Sequence, residues 1–283
     1  MKECILIISF CALFAATIKA QSPIIPISRS TKDMAIVDSA RIRVWYALNA
    51  LDISNSNTYD DLQRLEIGNH VSKYYSFFVF NSDSLVTEWS NSNRKAQGAP
   101  IRLGPKGKID CWNEYQYSEY FKDLSLNTFT EYSRMPGFLQ NMNSQYTEEM
   151  PVQNWEIGKD TLTILGYSCQ QATCLFRGRE YTVWFSMDIP LANGPWKFGG
   201  LPGLILKVSD KDNLFNFECI KIEYFKRKIP IRRYKDYNKY RRRQRTDVLK
   251  IQREANENFA KVAGLKVRGT FPTRKPHHYM ELE

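Results

Sequence analysis

Between Trp155 and Phe225, apolar side chains recur at every second position in runs too short for helices, separated by glycine, proline and asparagine. That period turns one face of an extended chain toward a core, so this part of the sequence must build sheet. Residues 162–172 read as one strand and Phe176-Arg177-Gly178-Arg179 as a hairpin turn. On the return, Tyr181, Val183 and Phe185 alternate with Thr182 and Trp184. Ile189-Pro190 closes that strand. Leu204, Leu206 and Val208 alternate again, residues 210–213 turn the chain, and residues 214–225 pair back. The expectation is a meander of four antiparallel strands with a long loop between the second and third.

That loop, GPWKFGGLPG over residues 194–203, is the most distinctive stretch of the chain. Gly194-Pro195 is a turn signal, and Gly199-Gly200 can adopt backbone angles closed to other residues. Leu201-Pro202-Gly203-Leu204 predicts a type II turn, with Pro202 pre-set at the second position and Gly203 supplying positive φ at the third. Trp196, Phe198 and Leu201 are interleaved with these residues. Either they fold back to seal a core or, with Trp184, they line a pocket for an apolar ligand. Neither dinucleotide nor P-loop glycine spacing is present, which argues against a phosphate-binding loop.

The first half follows the same logic. Ile42, Val44 and Tyr46 alternate within residues 40–50, residues 74–80 form a second apolar run, and residues 81–93 suit a loop or a short helix. Trp112, Tyr115, Tyr117, Tyr120 and Phe121 form either a half-buried strand face or a stacking platform for sugars or peptides. Near the other end, Ile251, Ala255, Phe259 and Val262 fall at helical spacing with Gly264 as a stop. The fold class expected is α+β, mainly antiparallel β: a meander or half-barrel sheet with a C-terminal amphipathic helix packed on it.

Charge is concentrated. The formal net charge is +10, and residues 226–245 hold eleven Lys or Arg against one acid, Asp236, so this segment carries the whole excess. Residues 226–264 are read as a basic, helical arm. Arg232, Arg233, Arg241, Arg242 and Arg243 interleave with Tyr234, Tyr237 and Tyr240, a composition that would suit nucleic acid in the cytosol. The amino terminus argues against that compartment. Lys2, the apolar run 5–16 and the small residue Ala20 match a signal peptide over residues 1–20, too short to span a bilayer. The expected location is the periplasm, the outer-membrane periphery or the exterior, with residues 21–283 as one β-rich domain lacking a transmembrane segment. The basic segment is then either a solvated helix or a surface for anionic lipid headgroups, lipopolysaccharide or an acidic partner.

Export leaves Cys111, Cys169, Cys174 and Cys219 in the mature chain. Cys169 and Cys174 sit on opposite faces of one continuous strand and cannot bridge there without a bulge, so a bridge from Cys169 to another partner and buried free thiols both stay open. His70, His277 and His278 are scattered, and no metal or other cofactor is expected. The sequence holds no Gly-x-Ser-x-Gly elbow and no His-Glu-x-x-His pair, so no catalytic residue is assigned.

Trp155-Glu156-Ile157, ILGYSCQQAT (164–173), FRGREYTVWFSMDIP (176–190) and GPWKFGGLPGLILKVSD (194–210) occur in this order. In these blocks, and again at Glu281-Leu282-Glu283, the chain resembles the GLPGLI family of exported proteins of diderm bacteria. The resemblance implies a recurring cysteine, here Cys169, and the glycines and prolines 194, 195, 199, 200, 202 and 203 as its structural signature. It also implies a role at the cell envelope, with a TonB-dependent outer-membrane receptor as partner, and no agreed catalytic residue; the strand pattern and the aromatic-rich loop suggest an apolar or peptide ligand on the concave side beside residues 194–203. The function expected is a non-catalytic envelope binding protein. The alternative is a secreted hydrolase with a cysteine or carboxylate centre.

Overall fold

The structure is a computed structural model that describes residues 24–265 and 277–283; the signal peptide expected over residues 1–20 lies outside the described residues. The first half is a meander: β1 (Met34–Leu48), β2 (Asp61–Gly68) and β3 (Val71–Ser76), then α1 (Phe77–Ser92) and the single turn α2 (Glu114–Tyr117), then β4 (Ser118–Asp123), β5 (Thr128–Ser133) and β6 (Ser144–Glu149). A second meander holds β7 (Glu156–Ile164), β8 (Tyr167–Phe176), β9 (Arg179–Ser186), β10 (Leu204–Asp210) and β11 (Asn216–Tyr234). The short β12 (Arg241–Arg242), α3 (Arg245–Glu257) and α4 (Phe259–Val262) follow.

All twelve strands share one sheet in the order β12-β6-β5-β4-β3-β2-β1-β11-β10-β9-β8-β7. The two meanders join along one seam, β1 against β11, from Met34 beside Tyr234 to Leu48 beside Phe217. The sheet is open but strongly curled. Arg177, in the β8–β9 turn near one edge, reaches Glu148 of β6, near the other, at 2.9 Å. The mainly antiparallel half-barrel expected from the period is therefore present.

The concave face holds the core. Val44, Tyr46, Leu65, Tyr74, Tyr120, Phe129 and Tyr146 from the first meander meet Val183, Phe185, Leu204, Leu206 and Phe217 from the second. One ring from each of β1, β3, β4, β5 and β6 (Tyr46, Tyr74, Tyr120, Phe129 and Tyr146) makes a continuous row at 6.0–6.4 Å centroid spacing. Helix α3 lays Val248 into this core, and Gln252 reaches Glu131 and Ser133 of β5.

Several sequence expectations change. Residues 162–172 are two strands, split by a two-residue turn in which Leu165 and Gly166 both have positive φ (51° and 85°). The same geometry at Arg177 and Gly178 confirms the hairpin read there, since this turn matches the right-handed twist of the flanking strands. Residues 74–80 do not stay extended: β3 ends at Ser76, whose side chain accepts from the Val79 amide and starts α1. The basic arm is not helical throughout 226–264. Residues up to Tyr234 continue β11, because the long β1 offers them a partner, and helix begins only at Arg245. Trp112, Tyr115, Tyr117, Tyr120 and Phe121 are all buried, so they form no stacking platform.

Candidate functional site

The 194–203 loop folds into the concavity. Trp196, Phe198 and Leu201 are 2%, 0% and 2% exposed and pack on Phe176 and Tyr181 of the second meander, so they seal the core instead of lining a pocket. Trp184 is half-buried and alternates with the core-facing Val183 and Phe185, so the structure does not bring it together with the other three. Gly203 does not supply positive φ. It is required by close approach, because a Cβ there would stand 2.0 Å from the Ser186 carbonyl oxygen. Positive φ falls instead on Trp196 (48°) and Gly200 (78°).

Two buried lysines fix this loop. Lys122 of β4 donates to Asn193 Oδ1 (3.0 Å), the Gly194 carbonyl (3.2 Å) and the Phe198 carbonyl, and burial pushes its pKa down to about 7. Lys197, inside the loop, is fully buried. It donates to Tyr146 Oη (2.7 Å) and pairs with Glu281 from the segment 277–283. Arg245 at the start of α3 also holds Glu281, at 2.6 Å, and Arg177 stands 3.6 Å from it. Tyr146 passes the network on to Glu131 Oε2 (2.8 Å), whose pKa burial pushes up. The segment is further seated by the Tyr279 carbonyl accepting from Arg179 and the Met280 carbonyl accepting from Tyr181.

With the loop, α3 and this segment in place, the described residues leave on the concave side a crevice of about 20 Å3 beside Trp196, Tyr120 and Met280, room for about one water. The thiols are also buried, although Cys174 borders an open cleft on the β7–β9 side. Cys169, Cys174 and Cys219 are free and buried, and burial pushes their pKa values up to about 11, 12 and 12, opposite to what a nucleophile needs. Cys169 therefore forms no bridge.

An open site lies elsewhere, on the edge where β12 runs parallel to β6. A cleft of about 540 Å3 is lined by Tyr132, Gln145, Tyr146, Thr147, Arg233, Asn238, Arg242 and Arg243. The fold brings Arg233 at the end of β11 beside Arg242 and Arg243, because the turn at Lys235–Lys239 returns the chain onto β6. Arg233 donates to Tyr132 Oη (2.9 Å) and Asn238 Oδ1 (3.3 Å), and its buried Nε has no acceptor. Arg243 donates to Ser144 Oγ (3.0 Å). Among the described residues no carboxylate lines the cleft. A second cleft, of about 380 Å3 on the β7–β9 side, differs: Lys211 there is paired with Glu180 at 2.9 Å.

Of the five arginines singled out from sequence, Arg233, Arg242 and Arg243 converge here, and the exposed Arg232 and Arg241 stand outside the lining. Gln145, Thr147 and Asn238 escaped sequence reasoning, as did the Lys197–Glu281 pair. The one signal for that pair was the recurrence of Glu281-Leu282-Glu283 alongside a lysine inside the distinctive loop.

No curated protein matches the chain. Two solved structures of PNGF-II, in the C2 and P21 space groups, are similar at 12% and 13% identity with TM-scores of 0.46 and 0.48. They align with 76% and 77% of this chain, which spans only about a third of theirs (33% and 34%). A sequence profile described as N-glycanase peptide, N-terminal domain matches residues 114–257, from the first residue of α2 to the last of α3. That is half of the chain, and the protein therefore belongs to the N-glycanase peptide, N-terminal domain family.

Proposed function

We propose that this chain is a non-catalytic binding protein of the cell envelope that holds an anionic ligand in the arginine cleft. The observation that carries the reading is the convergence of Arg233, Arg242 and Arg243 in a cleft of about 540 Å3 with no carboxylate among its described lining residues. Like charges gathered in a concave, partly desolvated site repel one another, and a bound anion relieves that repulsion. The hydrolase reading lacks comparable support: the thiols are buried with raised pKa values, and Glu131 lies beneath α3 and Tyr146.

The export signal read over residues 1–20 and the GLPGLI resemblance favour an envelope location, where acidic polymers and receptors are the available partners. A TonB-dependent receptor or a peptide fits as a partner if its acidic groups enter the cleft. The family is named for N-glycanases, so a glycan-bearing partner is part of the proposal. Retention on a sulfated-dextran column tests it. The wild-type chain should be held at low salt and released at high salt, and Arg242→Gln with Arg243→Gln should abolish retention. Equal retention of wild type and variant would overturn the assignment of the cleft.

A further inference from the structure

The geometry points to an acidic saccharide as the ligand of this cleft: an oxyanion carried on a hydroxyl-rich ring. The inference rests on the anion-binding reading above and narrows it. Guanidinium groups match the oxygens of a carboxylate, sulfate or phosphate in a fixed fork. Arg242 is exposed and makes no side-chain hydrogen bond among the described residues, while Arg233 keeps a buried Nε without an acceptor. Donors are therefore available on Arg242, and Arg233, from a different segment, adds its charge beside them.

The rest of the lining separates ligand classes. Around the arginines stand Thr147 and Asn238, neutral side chains that both donate and accept, and Gln145, whose two N–H groups are held by backbone carbonyls and which presents its Oε1 as an acceptor. A bare anion has no use for them, and a lipid headgroup would bring acyl chains to a rim that holds no aliphatic residue. A sugar ring, with a hydroxyl on nearly every carbon, matches neutral groups set beside cations. The floor is also rigid. Gln145 Nε2 donates to the carbonyls of Tyr237 (3.0 Å) and Tyr240 (2.9 Å), and Tyr132 stacks on Tyr237 with centroids 4.1 Å apart. At about 540 Å3 the cleft falls within the range of small-molecule sites and is large enough for more than a single small ion.

Titration calorimetry on the full chain tests this with five probes: sialyllactose, trigalacturonate, neutral lactose, inorganic phosphate and phosphatidylglycerol vesicles. At least one acidic sugar should bind, with lactose and phosphate each weaker by about tenfold or more. Arg242→Gln should lower acidic-sugar affinity by about tenfold or more, and the double variant with Arg243→Gln should lose it. Arg241→Gln, outside the cleft, should change nothing, and every variant should melt like wild type. Lactose binding as tightly as sialyllactose would overturn the inference. So would phosphate or vesicles binding more tightly than either acidic sugar in an Arg242-dependent manner, an outcome that leaves anion binding intact. Failure of every anionic probe to show arginine dependence would overturn both readings.

Discussion

Replacing Glu281 by Gln tests the ionic network under the 194–203 loop, because it removes a charge while keeping the shape. In the wild type the Glu281 carboxylate pairs with the fully buried Lys197 and with Arg245 at 2.6 Å. Once it is neutral, the nearest remaining carboxylate oxygen to Lys197 is Glu148 Oε1, at 3.6 Å, beyond hydrogen-bond distance. An ammonium that cannot reach water then keeps only the longer ion pair with Glu148, a loss of about 3 kcal/mol, the low end for a buried pair that loses one partner. Lys197→Met is the contrasting change. It removes the buried cation along with its hydrogen bond to Tyr146, while Glu281 keeps Arg245 and Arg177, so the loss should be only about 1–2 kcal/mol. The double variant should resemble Lys197→Met, since a Gln at position 281 no longer faces a stranded charge. Urea unfolding at neutral pH reads all three, and Glu281→Gln should lower the midpoint by about 1–2 M at constant slope. A Glu281→Gln loss below about 0.5 kcal/mol, or a larger loss for Lys197→Met, would refute the argument that burial of Lys197 makes the pair matter.

Two further outcomes follow from burial. Lys122 has a folded pKa of about 7 against an ordinary value of 10.5, so between those values the unfolded chain binds more protons and stability rises with pH. Lys122→Met should remove that rise, best read by thermal melts between about pH 7 and 8, below the ordinary thiol pKa of about 8.5; an unchanged slope would refute it. Cys169, Cys174 and Cys219 should resist a thiol reagent at pH 8 in the native state and react on unfolding, and rapid native labelling of any of them would reopen the cysteine-centre reading.

Sheet was legible wherever one face is buried and the other is not. Tyr181, Val183 and Phe185 declare β9 because their period matches the pleat. The turn at Leu165-Gly166 was invisible because Leu165 continues the apolar pattern, and only the pairing of β7 with β8 across it reveals that its φ is positive. The β3–α1 boundary hid in an unbroken aromatic run, where the capping role of Ser76 depends on three dimensions. The arginines of the cleft could be read as composition. Their selection could not, since Arg232 and Arg233 differ only in which side of β11 they occupy. Lys197 and Glu281 lie far apart along the chain, and no local pattern joins them.

The seam between the two meanders governs how the chain can be made. Within each meander, successive strands are neighbours and can pair as soon as they exist. The joining pair cannot: β1 must wait for β11, so every intervening strand is synthesised first. Such a non-local pairing is intrinsically slow, and until it closes the long β1 presents unpaired backbone along one side. During that interval such an edge invites pairing with another chain. The charges flanking the core positions of β1, Asp38, Arg41 and Arg43, then oppose edge-to-edge association while the second meander is still forming.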